Sequence, residues 1–139
     1  MAIERTLAII KPDAVGRGLA GEILSRIHKA GFDIAAIKSL RLTQSEAGGF
    51  YAVHKERSFF GELTEFMSSG KIIVLVLEAE DAILRWRDTM GATDPAKAVP
   101  GSIRADLGTS IGSNCTHGSD APHTAAFEIG YFFAGYELL

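Results

Sequence analysis

Residues 72–77 of the chain, Ile-Ile-Val-Leu-Val-Leu, are its clearest candidate for a buried strand. A short run of apolar residues bounded by polar ones is typical of a strand covered on both faces. Two weaker runs lie upstream: Thr6–Ile10, closed by Lys11 and Pro12, and Phe32–Leu42, in which apolar residues alternate imperfectly. The sequence therefore predicts a small sheet that includes these three strands.

Helical patterns separate the strands. From Leu19 to Ala30 apolar residues recur at helical spacing, basic residues fill the last turn, and Gly31 follows, which is the usual end of a helix. Apolar spacing and capping signals predict further helices from Thr43 towards His54, over Phe59–Met67, from Asp81 to Met90, and from an N-cap at Asp120 to Phe133. The simplest layered arrangement is one sheet, parallel or antiparallel, covered by helices.

The periodic pattern is lost between Ala92 and Gly118. These 27 residues contain Pro95, Pro100 and several glycines, and they are predicted to form one long loop. A loop of that length inside a compact domain is usually functional. The last residues, Ala134–Leu139, are expected to form a short tail.

The composition is that of an ordinary globular chain. Its 139 residues, 47% apolar and 22% charged, suit a single domain spanning 1–139. The net charge of −3 argues against a basic nucleic-acid surface, and no stretch approaches the roughly 20 apolar residues of a membrane span. The lone cysteine cannot form an internal disulfide, which fits a reducing compartment. We expect a soluble, cytoplasmic protein that binds neither membranes nor nucleic acid.

Residues 16–21, Gly-Arg-Gly-Leu-Ala-Gly, match the dinucleotide-binding fingerprint and lie between a predicted strand and a predicted helix. Two features oppose that function. Five residues separate the end of the strand at Ile10 from the first glycine, and Lys38 and Arg41 stand where an acidic residue should follow the next strand. A plain turn that leads into a helix is the better interpretation.

Four possible metal ligands, Cys115, His117, Asp120 and His123, lie within nine residues. Their spacing matches no common zinc pattern, and His123 is expected on the following helix, pointing away from His117. A nucleophilic Cys115 with His117 as its base is a second alternative. Neighbours two apart in an extended chain share a face but lack the geometry of a catalytic thiolate pair. We expect Cys115 to be a small, partly buried residue.

The segment Asn114–Asp120 offers a third kind of chemistry. His117 ends the long loop, Gly118 leaves room for another molecule to approach, and the next helix carries Glu128. A carboxylate there can hydrogen-bond one nitrogen of the imidazole ring and leave the other as a nucleophile. Taken alone, a histidine in a loop is more often solvated or structural.

Taken with the rest of the chain, Asn114-x-x-His117-Gly118-Ser119-Asp120 resembles the active-site segment of the nucleoside diphosphate kinases. Four further motifs match in order and spacing: Thr6–Asp13, Phe50-Tyr51 with Glu56–Phe60, Arg87 with Met90–Pro95, and Pro100–Asp106. The resemblance covers essentially the whole chain. It implies a ferredoxin-like α/β sandwich, in which helices cover a four-stranded antiparallel sheet and a protruding loop takes part in subunit contacts.

The same resemblance implies an activity. A phosphoryl group would pass from a nucleoside triphosphate such as ATP to His117 and then to a nucleoside diphosphate, a ping-pong reaction with broad base specificity. Lys11, Tyr51, Ser119 and Glu128 would assist His117 in catalysis. Mg²⁺ would arrive on the nucleotide phosphates, with no side chain as its ligand, because it binds few protein groups and keeps its waters. A homo-oligomer, either a tetramer or a hexamer, is also implied.

Nucleotide-binding residues follow from the matching positions. Lys11, Arg87 and Arg104 would neutralise phosphates, since arginine offers bidentate geometry and lysine a point charge. The other implied contacts are Thr93 and Asn114 for phosphate or ribose, and Phe59 and Ile111 for the two faces of the base. Neither a P-loop nor the protein-kinase motifs are present, which excludes those two classes.

The chain departs from the usual family pattern at Ser58, Lys71, Leu107, Ala121 and His123. None of these is a catalytic position, so the departures bear on stability and subunit packing more than on activity. The competing interpretation is a binding or regulatory domain that keeps this fold but has lost turnover. The sequence favours an enzyme, because the catalytic positions of the family are all occupied by matching residues.

Overall fold

The computed structural model describes residues 2–138 and contains one four-stranded sheet with the strand order β2-β3-β1-β4. The strands are β1 (Ile3–Ile10), β2 (Asp33–Leu40), β3 (Ile72–Glu80) and β4 (Thr116–Gly118). Strand β1 pairs with β3 and β4, strand β2 pairs with β3, and each pairing is antiparallel. Met1 and Leu139, the ends of the predicted domain and tail, lie outside the described residues.

Seven α-helices lie in the described part of the chain. They are α1 (Pro12–Gly16), α2 (Ala20–Lys29), α3 (Gln44–Phe50), α4 (Phe60–Met67), α5 (Ala82–Met90), α6 (Ile103–Leu107) and α7 (Pro122–Phe132). The capping box predicted for α3 is confirmed: Thr43 Oγ1 accepts from the Glu46 amide at 3.1 Å, and Glu46 Oε1 accepts from the Thr43 amide at 2.8 Å. No helix in this part of the chain has the length and apolar character that a membrane crossing requires.

Apolar layers cover both faces of the sheet, which explains the uninterrupted apolar run in β3. Successive residues of a strand point to opposite faces. Ala8 and Ile10 accordingly pack with α2 and α5, while Leu7 and Ile9 pack with α3, α4 and α7. Strands β1 and β3 are therefore central and buried, whereas β2 and β4 form the two edges of the sheet.

The segment from Ala92 to Gly118 is not the structureless loop that its pattern predicts. It contains a 3₁₀ turn at Pro95–Lys97, helix α6 and strand β4. Ser102 Oγ caps α6 by accepting from the Ala105 amide at 3.3 Å. Elements of three to five residues are too short to repeat a strand or helix pattern over the window in which such a pattern is recognised, so the sequence does not reveal them.

The glycine fingerprint at residues 16–21 joins two helices rather than a strand and a helix. Helix α1 occupies the residues after Lys11 and ends at Gly16, Gly18 adopts a left-handed φ of 73°, and α2 begins at Ala20. Only glycine adopts such a φ without steric cost. The segment is thus a turn that leads into a helix, as preferred above, but a short helix precedes it.

The N-cap of helix α7 lies one residue later than the predicted N-cap, Asp120. Its N-cap is Ala121, and the amides of Asp120 and Ala121 donate to Thr124 Oγ1 at 3.2 and 3.0 Å. The threonine hydroxyl therefore does the capping that the sequence assigns to Asp120, whose carboxylate pairs with Arg87 instead. The predicted tail contains a 3₁₀ turn over Gly135–Leu138.

Candidate active site

His117 lies on β4 opposite Ile9, and its imidazole faces the layer of α3 and α7. Its Nε2 is 2.8 Å from Glu128 Oε1, the predicted hydrogen bond, and Ser119 Oγ donates to the same carboxylate oxygen at 2.9 Å. The carboxylate accepts the Nε2 proton and so selects the tautomer with a free lone pair on Nδ1. The structure thus decides which nitrogen is available to a substrate.

Two aromatic rings fix the plane of the imidazole. The Phe50 and Tyr51 rings pack edge-on against it, with centroid separations of 5.4 and 6.0 Å. Helix α3 ends at Phe50, with Tyr51 as its C-cap, so the end of this helix places both rings. Together with the Glu128 hydrogen bond, this packing restricts rotation of the His117 side chain.

Lys11 is a buried cation beside the histidine. Its Nζ donates to Asn114 Oδ1 at 2.9 Å, and Asn114 Nδ2 donates to the Thr93 carbonyl at 3.0 Å. Burial, followed by the charge of Arg104, lowers the pKa of Lys11 to about 8. An ammonium group desolvated in this way favours any anion that enters beside it, because the anion restores the lost stabilisation.

Arg104 and Arg87 add two guanidinium groups. Arg104 donates to the carbonyls of Thr116 at 2.7 Å and Gly91 at 3.1 Å, and its buried Nε has no partner in the described residues. Burial, followed by the charge of Arg87, lowers the pKa of Arg104 to about 10. Arg87 is about half exposed and pairs with Asp120. Both arginines thus have donor capacity for an anion.

The hydroxyl of Tyr51 is a further unused donor. It is buried and has no hydrogen-bond partner among the described residues. Burial, with a smaller contribution from the Glu128 charge, raises the pKa of this phenol well above its ordinary value. The group therefore stays protonated and can donate to an oxygen that occupies the neighbouring space.

These side chains surround one cavity of about 540 Å³. Nine of the predicted residues line it: Lys11, Tyr51, Phe59, Arg87, Thr93, Arg104, Ile111, Asn114 and His117. Phe59 and Ile111 stand at its mouth, 43% and 59% exposed, and a second cavity of about 410 Å³ lies between them. A cavity that combines the buried cations Lys11 and Arg104 and the half-exposed Arg87 with apolar side chains at its mouth suits a nucleotide whose phosphates point inward.

Comparison with known proteins agrees with this geometry. The family model described as "Nucleoside diphosphate kinase" matches residues 4–138. The chain belongs to the nucleoside diphosphate kinase family. Its members are phosphotransferases that act by a ping-pong mechanism, so the enzyme interpretation is confirmed over a binding module without turnover.

Curated relatives cover almost the entire chain. The nucleoside diphosphate kinase of Desulfotalea psychrophila is 61% identical over 137 residues, which are 99% of this chain and 100% of the relative. That of a Bradyrhizobium species is 60% identical over 139 residues, which are 100% of this chain and 99% of the relative. Such identity over nearly the full length of both sequences leaves no large insertion or deletion between them.

Solved structures share the fold. The Aquifex aeolicus nucleoside diphosphate kinase is 51% identical, with a TM-score of 0.96 over 99% of this chain and 100% of the other. A halophilic nucleoside diphosphate kinase from Halobacterium salinarum, solved with CDP, is 39% identical, with a TM-score of 0.95 over 99% and 92%. The predicted ferredoxin-like fold, with helices over a four-stranded antiparallel sheet, is thereby confirmed.

Ser119 and Glu128 do not line the cavity of this kinase-family site but lie behind the imidazole. The sequence missed several lining residues, among them His54, Leu84 and Asp88. His54 packs 5.6 Å from the Phe59 ring. Its spacing of five residues from Phe59 carries no periodic signal, because His54 ends a 3₁₀ turn and an irregular segment leads from there to Phe59.

Cys115 belongs to the opposite side of the sheet from the imidazole of this site. It is fully buried, not partly buried as expected, and packs in the layer of α2 and α5. Its φ of 73° breaks the alternation of an extended chain, so Cys115 and His117 do not share a face. Burial raises the pKa of its thiol, which disfavours the nucleophilic thiolate.

A metal held by side chains finds no support in the described residues. No group of three or more His, Cys, Asp or Glu side chains there has the arrangement of a metal site, and His123 is exposed on α7. The carboxylates that line the cavity are Asp88 and Asp120, and Asp120 already pairs with Arg87. This donor set fits a divalent ion bound chiefly by nucleotide phosphates.

Proposed function

We propose that this chain transfers the γ-phosphoryl group of a nucleoside triphosphate to a nucleoside diphosphate through a phosphohistidine on His117. The hydrogen bond of 2.8 Å between His117 Nε2 and Glu128 carries this proposal. It leaves Nδ1 unprotonated next to a cavity that contains Lys11, Arg87 and Arg104. A nucleophile beside three cations suits attack on a phosphate.

The reaction consists of two displacements at phosphorus. The Nδ1 lone pair forms a bond to the γ-phosphorus, the bond to the bridging oxygen breaks, and the diphosphate leaves with that electron pair. In the second step a terminal oxygen of the acceptor diphosphate attacks the phosphohistidine, and the N–P electron pair returns to Nδ1. Glu128 stabilises the positive charge that develops on the ring.

The cations and Tyr51 act on the transferring group. Lys11 and the Tyr51 hydroxyl donate to phosphate oxygens near His117, while Arg104 and Arg87 hold the remaining phosphates. Arg87 exchanges its partner Asp120 for phosphate when nucleotide binds. Catalysis of phosphoryl transfer relies on positioning and charge stabilisation, and buried donors such as Lys11 need little reorganisation.

The remaining contacts hold the nucleoside. Thr93 and Asn114 hydrogen-bond ribose or phosphate, and Phe59 and Ile111 enclose the base between them. Stacking against a ring face tolerates every base. The smaller cavity between Phe59 and Ile111 also contains two polar side chains, Glu62 and Ser113. They do not form a matched pair of hydrogen-bonding groups that would select one base. Broad base specificity follows from this arrangement.

Mg²⁺ is the divalent ion that we propose, bound to the phosphates, where it neutralises part of their negative charge. The working form is a homo-oligomer, a tetramer or hexamer, which agrees with the half-exposed edge strand β2 and its exposed Ile37. One domain, matched by the family model over 4–138, suffices for the activity. A cytoplasmic location agrees with the free cysteine.

Phosphohistidine formation tests the proposal directly. The protein is incubated with ATP labelled in the γ-position, freed of nucleotide, and treated with acid, base or a diphosphate. We expect a label that is lost in acid, kept in base, and transferred to the diphosphate, as an N–P bond requires. His117→Ala should abolish labelling and turnover. Label on His28, His54 or His123 would overturn the assignment.

A further inference from the structure

Trp86, the only tryptophan of the chain, contacts the main chain of His117. Its side chain is fully buried on α5, in the layer on the opposite face of the sheet from the imidazole. The indole Nε1–H donates to the carbonyl oxygen of His117 at 3.1 Å. His117, the proposed nucleophile, is thus held from both faces of the sheet: Glu128 binds its ring, and Trp86 binds its backbone carbonyl.

Gly118 makes this contact possible. A Cβ at position 118 would lie 2.6 Å from Trp86 Cδ1, 2.9 Å from Trp86 Nε1 and 2.6 Å from Met90 Cε. The indole therefore occupies the space of the missing side chain and lies directly against the β4 backbone. From the sequence, Gly118 is expected to leave room for another molecule to approach. In the structure that room is filled by Trp86 and Met90, two core side chains of the same chain.

Strand β4 depends on such support. It is three residues long and, within the described chain, pairs with β1 alone. Consecutive residues of α5 hold the segment that begins in β4: Trp86 binds the His117 carbonyl, and Arg87 pairs with Asp120. A rigid helix thereby connects the nucleophile with an arginine that we assign to phosphate binding.

We infer that Trp86 is a positioning residue for phosphoryl transfer, whose indole N–H holds the backbone of His117 in register with Arg87. This inference rests on the function proposed for His117. Trp86 does not line the nucleotide cavity. Its loss should therefore slow the chemical step and leave nucleotide binding nearly unchanged, since small displacements of a nucleophile reduce rates steeply.

Single-turnover labelling separates these two effects. The rate of phosphohistidine formation is measured over a range of ATP concentrations, which yields the maximal rate and the half-saturating concentration. Trp86→Phe keeps an aromatic ring and removes the N–H donor. We expect a maximal rate lowered about tenfold, within the roughly 10²-fold cost of a 1 Å misplacement, and a half-saturating concentration within about twofold of the parent value.

Phe32→Leu is the matched control. Phe32 packs edge-on against the same indole, with centroids 6.0 Å apart, but it belongs to neither the cavity nor the His117 contacts. This variant loosens the indole's packing and keeps its N–H, so we expect a lower Tm and a maximal rate within about twofold of the parent. Equal slowing in both variants would assign Trp86 a packing role only and overturn the inference.

The indole resonance offers a test on the unaltered sequence. With a single tryptophan, the ¹⁵N-labelled protein shows one indole N–H signal. We expect ATP to shift this signal in the parent protein, where His117 is phosphorylated. The same shift should not occur in His117→Ala. A signal unchanged on phosphorylation overturns the inference even if Trp86→Phe does not fold.

The labelling experiment distinguishes failure of this inference from failure of the proposed function. If the parent protein takes no label, the proposed function is overturned as well. If the parent is labelled and Trp86→Phe is labelled at the same rate, only this inference is overturned.

Discussion

At the scale of single residues, the candidate active site contains a hydrogen-bond chain behind His117, the proposed nucleophile. The Leu7 amide donates to Ser119 Oγ at 3.3 Å, Ser119 donates to Glu128, and Glu128 accepts from His117. The chain starts on the central strand β1, so the buried sheet orients the imidazole. The residues that we propose as substrate contacts therefore differ from those that orient His117, which makes their effects on kinetics separable.

Removal of one orienting hydrogen bond should slow turnover. Glu128→Gln and Ser119→Ala are each expected to lower kcat more than they weaken nucleotide binding, by roughly 1–3 kcal/mol in the activation barrier. The reason is that neither side chain lines the cavity. Steady-state kinetics with a saturating donor measures the change. An effect confined to KM would instead identify a substrate contact.

The lowered pKa of Lys11, about 8, has opposite consequences for binding and for stability. The phosphate contact that we propose for Lys11 needs the charged form, so kcat/KM should fall as pH rises through about 8 in the free enzyme. Burial disfavours the same charge, so this residue's contribution to the free energy of unfolding should increase from about pH 8 up to the ordinary lysine pKa near 10.5.

The pH–rate profile of Lys11→Arg tests this assignment. Arginine stays charged throughout the range, so a variant that retains activity should lack the decline near pH 8. Between pH 7 and 10, kcat/KM profiles check the predicted fall in activity, and denaturant unfolding checks the predicted rise in the free energy of unfolding. A decline that persists unchanged in Lys11→Arg would assign it to another group.

At the scale of elements, the short helix α3 positions two aromatic rings against His117. Its last residue Phe50 and its C-cap Tyr51 pack against His117, yet Gly48 and Gly49 lie within it and weaken it. The capping box at Thr43 compensates for part of that weakness. Tyr131 adds a tether from α7, because its hydroxyl donates to the Glu46 carbonyl at 2.6 Å.

Loss of the α3 cap should destabilise the protein. Thr43→Ala removes the side-chain acceptor for the Glu46 amide, which typically costs about 1 kcal/mol in the free energy of unfolding. Ser45→Ala is a suitable control, since Ser45 is an exposed residue in the same turn. Denaturant unfolding of both variants measures the difference. Equal stabilities would show that the Tyr131 tether, rather than the cap, maintains the helix.

At the scale of the whole molecule, the cavity is assembled from both ends of the chain. Lys11 follows the first strand, Phe59 precedes α4, Arg87 is on α5, and His117 is on the last strand. The sheet order β2-β3-β1-β4 places the ends of β1 and β4 side by side. Lys11 and Arg104 thereby lie buried in the cavity, whereas Arg87 and the apolar Phe59 and Ile111 lie nearer the solvent.

That division of groups predicts how the molecule selects substrates. Purine and pyrimidine diphosphates, ribo and deoxy, should all be accepted, with kcat/KM values within about 10² of one another, because apolar pockets discriminate weakly. Phe59→Ala should weaken binding of every nucleotide in the same direction, whereas Val53→Ala, at an exposed position outside the cavity, should not. Competition assays measure both. A preference of roughly 10⁴ in kcat/KM for one base would indicate a buried polar side chain that hydrogen-bonds that base.

Much of the fold and of the site was predictable from the sequence. The long helices carry periodic signals and the three longer strands carry apolar runs or an imperfect alternation, and each of these patterns extends over several residues. Lys11, Arg87, Arg104 and His117 were identifiable because their motifs follow one another in a characteristic order. These features depend on neighbouring residues or on fixed spacing, and both are present in a linear chain.

Other features were decided by the tertiary structure alone. Strand β4 exists because β1 offers it a partner, and α6 because Ser102 caps it, since neither is long enough for a pattern of its own. The choice of Nδ1 over Nε2 follows from where α7 brings Glu128. The contact of Trp86 with the His117 carbonyl joins residues 31 positions apart. Such contacts are set by packing in three dimensions, and no spacing along the chain encodes them.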